Sequence, residues 1–239
     1  MVTTLAEMGE NQEHKSFSDP FDKLFPIIHK QGEDGSVTTT VFIYDVIGEV
    51  AEFSEIVAVL DTAQEDDTIV FKINSPGGYL HTMLTLIDAI YATKAQTIAE
   101  CTGTVASAAT MIALACTGLY IAAHTTFMLH NFSGGAYGKG HEIVADVAHM
   151  VPNNRKVFEV AYKKFLTKKE LEKLIKGKDY YFTAEEVRER WLKVIARREK
   201  LYIAEQKEAY DNQVAHMISG LEESGYTIIK DAEGSDIQE

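Results

Sequence analysis

The run Thr68-Ile-Val-Phe-Lys-Ile-Asn74 is apolar enough to be buried on both faces, as an interior strand of a parallel sheet is. It ends in Ser75-Pro76-Gly77-Gly78, after which Leu80, Met83, Leu84, Ile87 and Tyr91 recur at helical spacing through residues 80–92. A strand, a glycine corner and an amphipathic helix make a β–α unit, and the chain repeats the arrangement. Residues 38–47 read as a strand stopped by Gly48, with a helix over 53–60 from Phe53, Ile56, Val57 and Leu60. Residues 97–102 are the next strand and 106–116 the next helix, followed by short strands at 119–123 and 126–129. This alternation predicts an α/β domain built on a largely parallel sheet.

The 239 residues, 46% of them hydrophobic, suffice for one large domain with appendages. Residues 1–37 are polar, contain Pro20, Pro26, Gly32 and Gly35, and carry one apolar patch, Leu24-Phe-Pro-Ile-Ile28; they read as a mobile arm. The body spans 38–187. Within it a glycine-rich loop at 132–140 leads into a long helix at 141–166, bent near Pro152, and then a short charged helix at 168–176 stopped by Gly177. Residues 179–182 are a short apolar edge. Thr183, with Glu186 three residues on, opens a helix that persists to about 219, so 188–239 form a helical extension with an acidic tail from Tyr226.

A formal charge of −13 argues against nucleic acid or an anionic membrane as partner. The two cysteines, Cys101 and Cys116, lie in apolar segments without metal-ligand spacing and read as buried small hydrophobes of a reducing compartment. No apolar run is long enough for a membrane span and the first twenty residues lack a leader's apolar core, so a cytoplasmic protein is expected, with no metal or other cofactor.

Between Glu100 and Leu114 almost every residue is small, and Ser107 falls where the strand gives way to the helix. The first N–H groups of a helix have no intrahelical partner, so Ala108 N–H and the helix dipole there favour an oxyanion. A plain helix cap explains Ser107 as well. The Ser75–Gly78 turn is a second such corner, and Gly78 N–H with Ala108 N–H would form a two-donor oxyanion hole. Of eight histidines, His130 is the best placed base, because it follows the apolar strand Phe127-Met-Leu129 and precedes the glycine loop. His124, at the exit of the preceding strand, is its local rival. Among 36 acidic residues Asp179 is preferred as orienting carboxylate because it abuts Tyr180-Tyr181-Phe182, with an ion pair to Lys178 the plainer explanation.

Asn74-Ser-Pro-Gly-Gly78, Gly103-Thr-Val-Ala-Ser107-Ala, Met128-Leu-His130-Asn, Gly134-Gly135 and Lys178-Asp179-Tyr-Tyr-Phe-Thr183-Ala-Glu-Glu186 resemble, in order and spacing, the Clp protease proteolytic subunit family. The resemblance implies a ClpP/crotonase-like spiral of β-β-α units with a projecting handle helix at about 141–176. It implies a serine endopeptidase with Ser107 as nucleophile, His130 as general base and Asp179 as orienter. Gly78 and Ala108 would form the oxyanion hole, and Gly77, Phe132 and Ser133 would contact substrate. It also implies a homo-oligomer of heptameric rings, stacked as a tetradecamer, acting on peptides or unfolded protein.

Val105 and Ala108 stand where the family has Ala and Met, and Trp191 stands where it tends to have glycine. With the unusual arm and extension, the chain resembles a divergent member, similar to phage- and prophage-encoded proteases, some of which process capsid proteins, and a AAA+ unfoldase is an optional partner. Two further enzyme types fit the residues. A crotonase-like acyl-CoA enzyme shares the two-N–H oxyanion hole, and a Ser-Lys dyad would replace His130 by a lysine. A non-catalytic assembly paralogue is the third alternative.

Overall fold

The computed structural model describes residues 26–223. In chain order these form β1 (Ile27–Gln31), β2 (Val37–Tyr44), α1 (Ser54–Thr62), β3 (Thr68–Ser75), α2 (Leu80–Ala92), β4 (Gln96–Ala106) and α3 (Ala108–Ala115). There follow β5 (Gly118–Ile121), β6 (Thr126–Leu129), α4 (Gly140–Tyr162), α5 (Lys168–Ile175), β7 (Tyr180–Phe182) and α6 (Ala184–Glu223). One sheet runs β1-β2-β3-β4-β6-β7, with β5 also paired to β4. The inner pairs are parallel, and the edge strands β1 and β7 are antiparallel to their neighbours. The fold is α/β, as the alternation of elements requires.

The core grows from one face of this sheet. Val41, Phe71 and Ala99 lie side by side in register and are fully buried, and α1, α2 and α3 supply Leu60, Met83, Leu86 and Ile112 to the same cluster. Burial of β3 on both faces does not occur. Its residues alternate, with Ile69, Phe71 and Ile73 buried while Val70 and Lys72 are half-exposed and Asn74 is exposed. The reason is that the helices after the inner strands all cover one side. On the other side Phe42, Lys72, Glu100 and Tyr120 form a row in register, with Lys72 ion-paired to Glu100.

Residues 27–31, which fall within the segment read as a mobile arm, form edge strand β1 against β2. Four of its five residues are exposed, so no apolar alternation marked it. The rest of the arm before Pro26, and the acidic tail from Tyr226, lie outside the described residues.

Helix α4 passes through Pro152 without ending, and buries only Asn154, Phe158 and Tyr162. Its first half stands clear of the body: Val144, Val147 and Val151 are 68%, 42% and 50% exposed. Helix α6 packs Val187, Trp191 and Val194 on the body, and its residues 199–219 are almost wholly exposed. Cys101 and Cys116 are free and buried, and burial holds both thiols well above their ordinary range, Cys116 at about 12. Among the described residues no helix is long and apolar enough to cross a membrane.

Candidate active site

Ser107 is the residue between β4 and α3, and its backbone is unusual. It sits at φ 56°, ψ −127°, a conformation costly for any residue with a Cβ. Three bonds hold it there. Its N–H donates to Met128 O at 2.8 Å, prolonging the β4/β6 pairing, and its carbonyl accepts from Thr110 N–H at 3.0 Å and Thr110 Oγ1 at 2.6 Å. Its hydroxyl makes no cap to the helix, so the plain N-cap role is not what the side chain does. Instead Ser107 Oγ lies 2.7 Å from His130 Nε2.

His130 directly follows β6, which pairs in parallel with the end of β4, so the sheet brings the two side chains to the same edge. Asn131 fixes the loop beyond: its Nδ2 donates to Ile175 O at 2.9 Å, and its Oδ1 accepts from Phe132 N–H at 2.9 Å. His124 is exposed in the turn between β5 and β6 and makes no contact with Ser107.

The Ser75–Gly78 turn closes the other side. Buried Ser75 Oγ accepts from Gly77 N–H at 3.1 Å, and Gly77 O accepts from Ile47 N–H at 2.9 Å. Gly77 has φ +99°, and a Cβ there would sit 2.7 Å from Ala106 O and from Ser107 Cβ, so only glycine lets the turn press against the nucleophile corner. Ile47 O takes Tyr79 N–H, whereas Gly78 N–H has no partner among the described residues. Ala108 N–H opens α3, where a helix leaves its donors free.

A cavity of about 140 Å³ collects these groups, lined by Gly78, Tyr79, Leu80, Ser107, Ala108, Met111, His130, Phe132, Ser133 and Phe158. Gly77 lies buried behind it and does not line it. Tyr79, Leu80, Met111 and Phe158 are wall residues that sequence reasoning missed. Only the helical phase of Phe158, one turn before Tyr162, could have indicated it. A larger cavity of about 370 Å³ lies at the carboxyl end of α3, but no residue of the Ser107–His130 pair lines it.

Asp179 is exposed, and no hydrogen bond joins its carboxylate to His130 or its ammonium neighbour Lys178. Lys178 instead lies over the Tyr180 ring at 4.7 Å. The antiparallel ladder pairs Leu129 with Tyr180 and stops there, and one further step would set Asp179 opposite His130. As it stands the site is a serine–imidazole pair facing two free N–H groups. That set can deliver an activated hydroxyl to a carbonyl and bind the oxyanion formed.

The family model described as "Clp protease" matches residues 38–192 of the chain. The chain is 30% identical over 164 residues to ATP-dependent Clp protease proteolytic subunit 3 of Rhizobium etli, covering 63% of this chain and 79% of that one. It is likewise 30% identical over 163 residues to the protein of the same name in Rhizobium meliloti, covering 62% and 78%.

Proposed function

Because the chain belongs to the Clp protease family, we propose that it is a serine endopeptidase that cleaves peptide bonds through an acyl-enzyme. The observation that carries this reading is the 2.7 Å contact between Ser107 Oγ and His130 Nε2 beside two unpartnered backbone N–H groups. In this reading His130 Nε2 accepts the hydroxyl proton as Ser107 Oγ attacks the scissile carbonyl. Gly78 N–H and Ala108 N–H hold the oxyanion, aided by the amino end of α3. His130 then gives the proton to the departing amine, and water, activated by the same imidazole, releases the acyl group. Asp179 is the orienter of the imidazole, supported by the β6/β7 register that would set it opposite His130. The apolar walls Leu80, Met111, Phe132 and Phe158 suit a substrate side chain of medium size and low polarity.

The protein acts as a homo-oligomer of heptameric rings, stacked in pairs, on peptides or unfolded protein. The exposed valines of α4 support this, since they leave apolar surface that a second copy would cover. The relatives are named as proteolytic subunits of an ATP-dependent protease, so an unfoldase that feeds the chamber is a partner of this reading.

The test is intact-mass analysis after exposure to a fluorophosphonate probe. One adduct per chain, mapped to Ser107 and lost in Ser107→Ala, is expected; absence of labelling, or labelling elsewhere, would overturn the assignment.

A further inference from the structure

The nucleophile helix α3 has only eight residues, Ala108–Ala115, and is therefore about 12 Å long. Its amino end, the positive pole, faces the oxyanion site. Its carboxyl end, the negative pole, is close enough to offset that field. All eight of its residues are buried and none is ionisable, so nothing within α3 neutralises the far pole.

A residue from α6 does so. Arg198 donates from Nη1 to Cys116 O at 2.9 Å and from Nη2 to Leu114 O at 3.1 Å, taking two carbonyls at the end of α3. Its guanidinium is stacked on Trp191 at 4.9 Å and is half-buried. No carboxylate among the described residues pairs with it, so besides the Trp191 ring its hydrogen-bonded partners are the two carbonyls at the helix end. Desolvation lowers its pKa, though far from any pH at which a guanidinium would lose its proton. Arg197, its neighbour, also ties α6 to the body, by donating to Lys164 O at 2.9 Å, and makes no hydrogen bond to α3 among the described residues.

We infer that Arg198 is a positioning residue of the nucleophile corner, which holds α3 by its carboxyl end and cancels the negative pole there, leaving the positive pole to act on the oxyanion unopposed. It lies beyond residue 192, where the family match ends, so the extension contributes to the working of the site it is appended to. This rests on the peptidase reading above. The effect is on the transition state, where the negative charge develops, and not on the bound substrate.

The experiment compares the wild type, Arg197→Gln, Arg198→Lys and Arg198→Gln in the rate of fluorophosphonate labelling at Ser107 and in kcat and KM on a short peptide. Wild type and Arg197→Gln should react equally. Arg198→Gln should be about three- to tenfold slower, in kcat with KM unchanged, and Arg198→Lys, which keeps the charge without the fork, should recover most of the rate. Equal labelling of wild type and Arg198→Gln overturns the inference while leaving the peptidase reading intact. So does an equal fall in Arg198→Lys and Arg198→Gln that tracks a loss of thermal stability, since that would be anchoring alone. A wild type that takes no label at Ser107 removes the peptidase reading, and the inference with it.

Discussion

The Tyr162 hydroxyl and Thr110 Oγ1 lie 2.7 Å apart in a place closed to solvent, and the same Thr110 oxygen is 2.6 Å from Ser107 O. The last turn of α4 is thereby joined to the carbonyl of the candidate nucleophile. Burial raises the Tyr162 phenol far above its ordinary range, so it stays a neutral hydroxyl. Tyr162→Phe removes one buried bond and leaves the bond from Thr110 to Ser107 in place. It should destabilise the fold by about 1 kcal/mol in urea unfolding, with labelling at Ser107 slowed but retained. No change in either quantity would mean that this link does not hold the corner.

The imidazole assignment separates two histidines on adjacent turns of chain. His130→Ala should lower kcat on a short peptide by about 10³-fold, while His124→Ala, altering an exposed turn residue, should leave it unchanged. Asp179→Asn should lower kcat by about a hundredfold with KM intact if the carboxylate reaches His130 in the working enzyme. A loss below about threefold would reduce the site to a Ser–His dyad.

Gly77 is the position least able to accept a side chain. Gly77→Ala would set a methyl 2.7 Å from Ser107 Cβ at a φ of +99°, so something must shift. The expected cost is about 2 kcal/mol or more by chemical denaturation, together with loss of labelling at Ser107. An alanine variant of normal stability and rate would show that the turn is looser than its contacts imply.

The acid limb of stability should depend on one ion pair. The Arg190 fork holds the Glu170 carboxyl at about 2, below its ordinary 4.5, and Thr167 N–H and hydroxyl bonds add to this. A depressed folded-state pKa contributes stability that is complete above about 4.5 and lost as the pH falls from there toward about 2. Glu170→Gln should therefore have a lower melting temperature than wild type at neutral pH, and the gap should close across that window. A gap independent of pH would contradict it.

Assembly is tested on the free half of α4. Val147 and Val151, one turn apart, are 42% and 50% exposed and belong to no part of the buried core. Val147→Asp with Val151→Asp should change protomer stability by no more than about 0.5 kcal/mol per site, yet shift the particle mass by light scattering, because two carboxylates would enter the interface between copies. A wild-type monomer fully active on a short peptide would refute the ring reading.

Helix α2 and strand β6 were legible to the residue, because Leu80 to Tyr91 keep strict helical spacing and Phe127-Met-Leu129 is a compact apolar run. Strand β4 was not: Gly103 suggests that it ends at Thr102, whereas it continues to Ala106. The cause is a bulge. The register shifts between Ile73/Cys101 and Ser75/Val105, Gly103 takes φ +59°, and Asn74 Oδ1 accepts from Thr104 N–H at 3.0 Å. That extension carries Ser107 to the edge where His130 emerges. Ser107 and His130 could each be picked out from local pattern. The link from Tyr162 through Thr110, and the reach of Arg198 to Cys116 O, join residues far apart in the chain by side chains with no local signature.

The backbone of Ser107 lies where glycine, not serine, is at ease. Glycine in its place would relax the corner and firm the fold while removing the hydroxyl that the proposed chemistry needs. In the peptidase reading, stability and chemistry therefore pull this one residue in opposite directions.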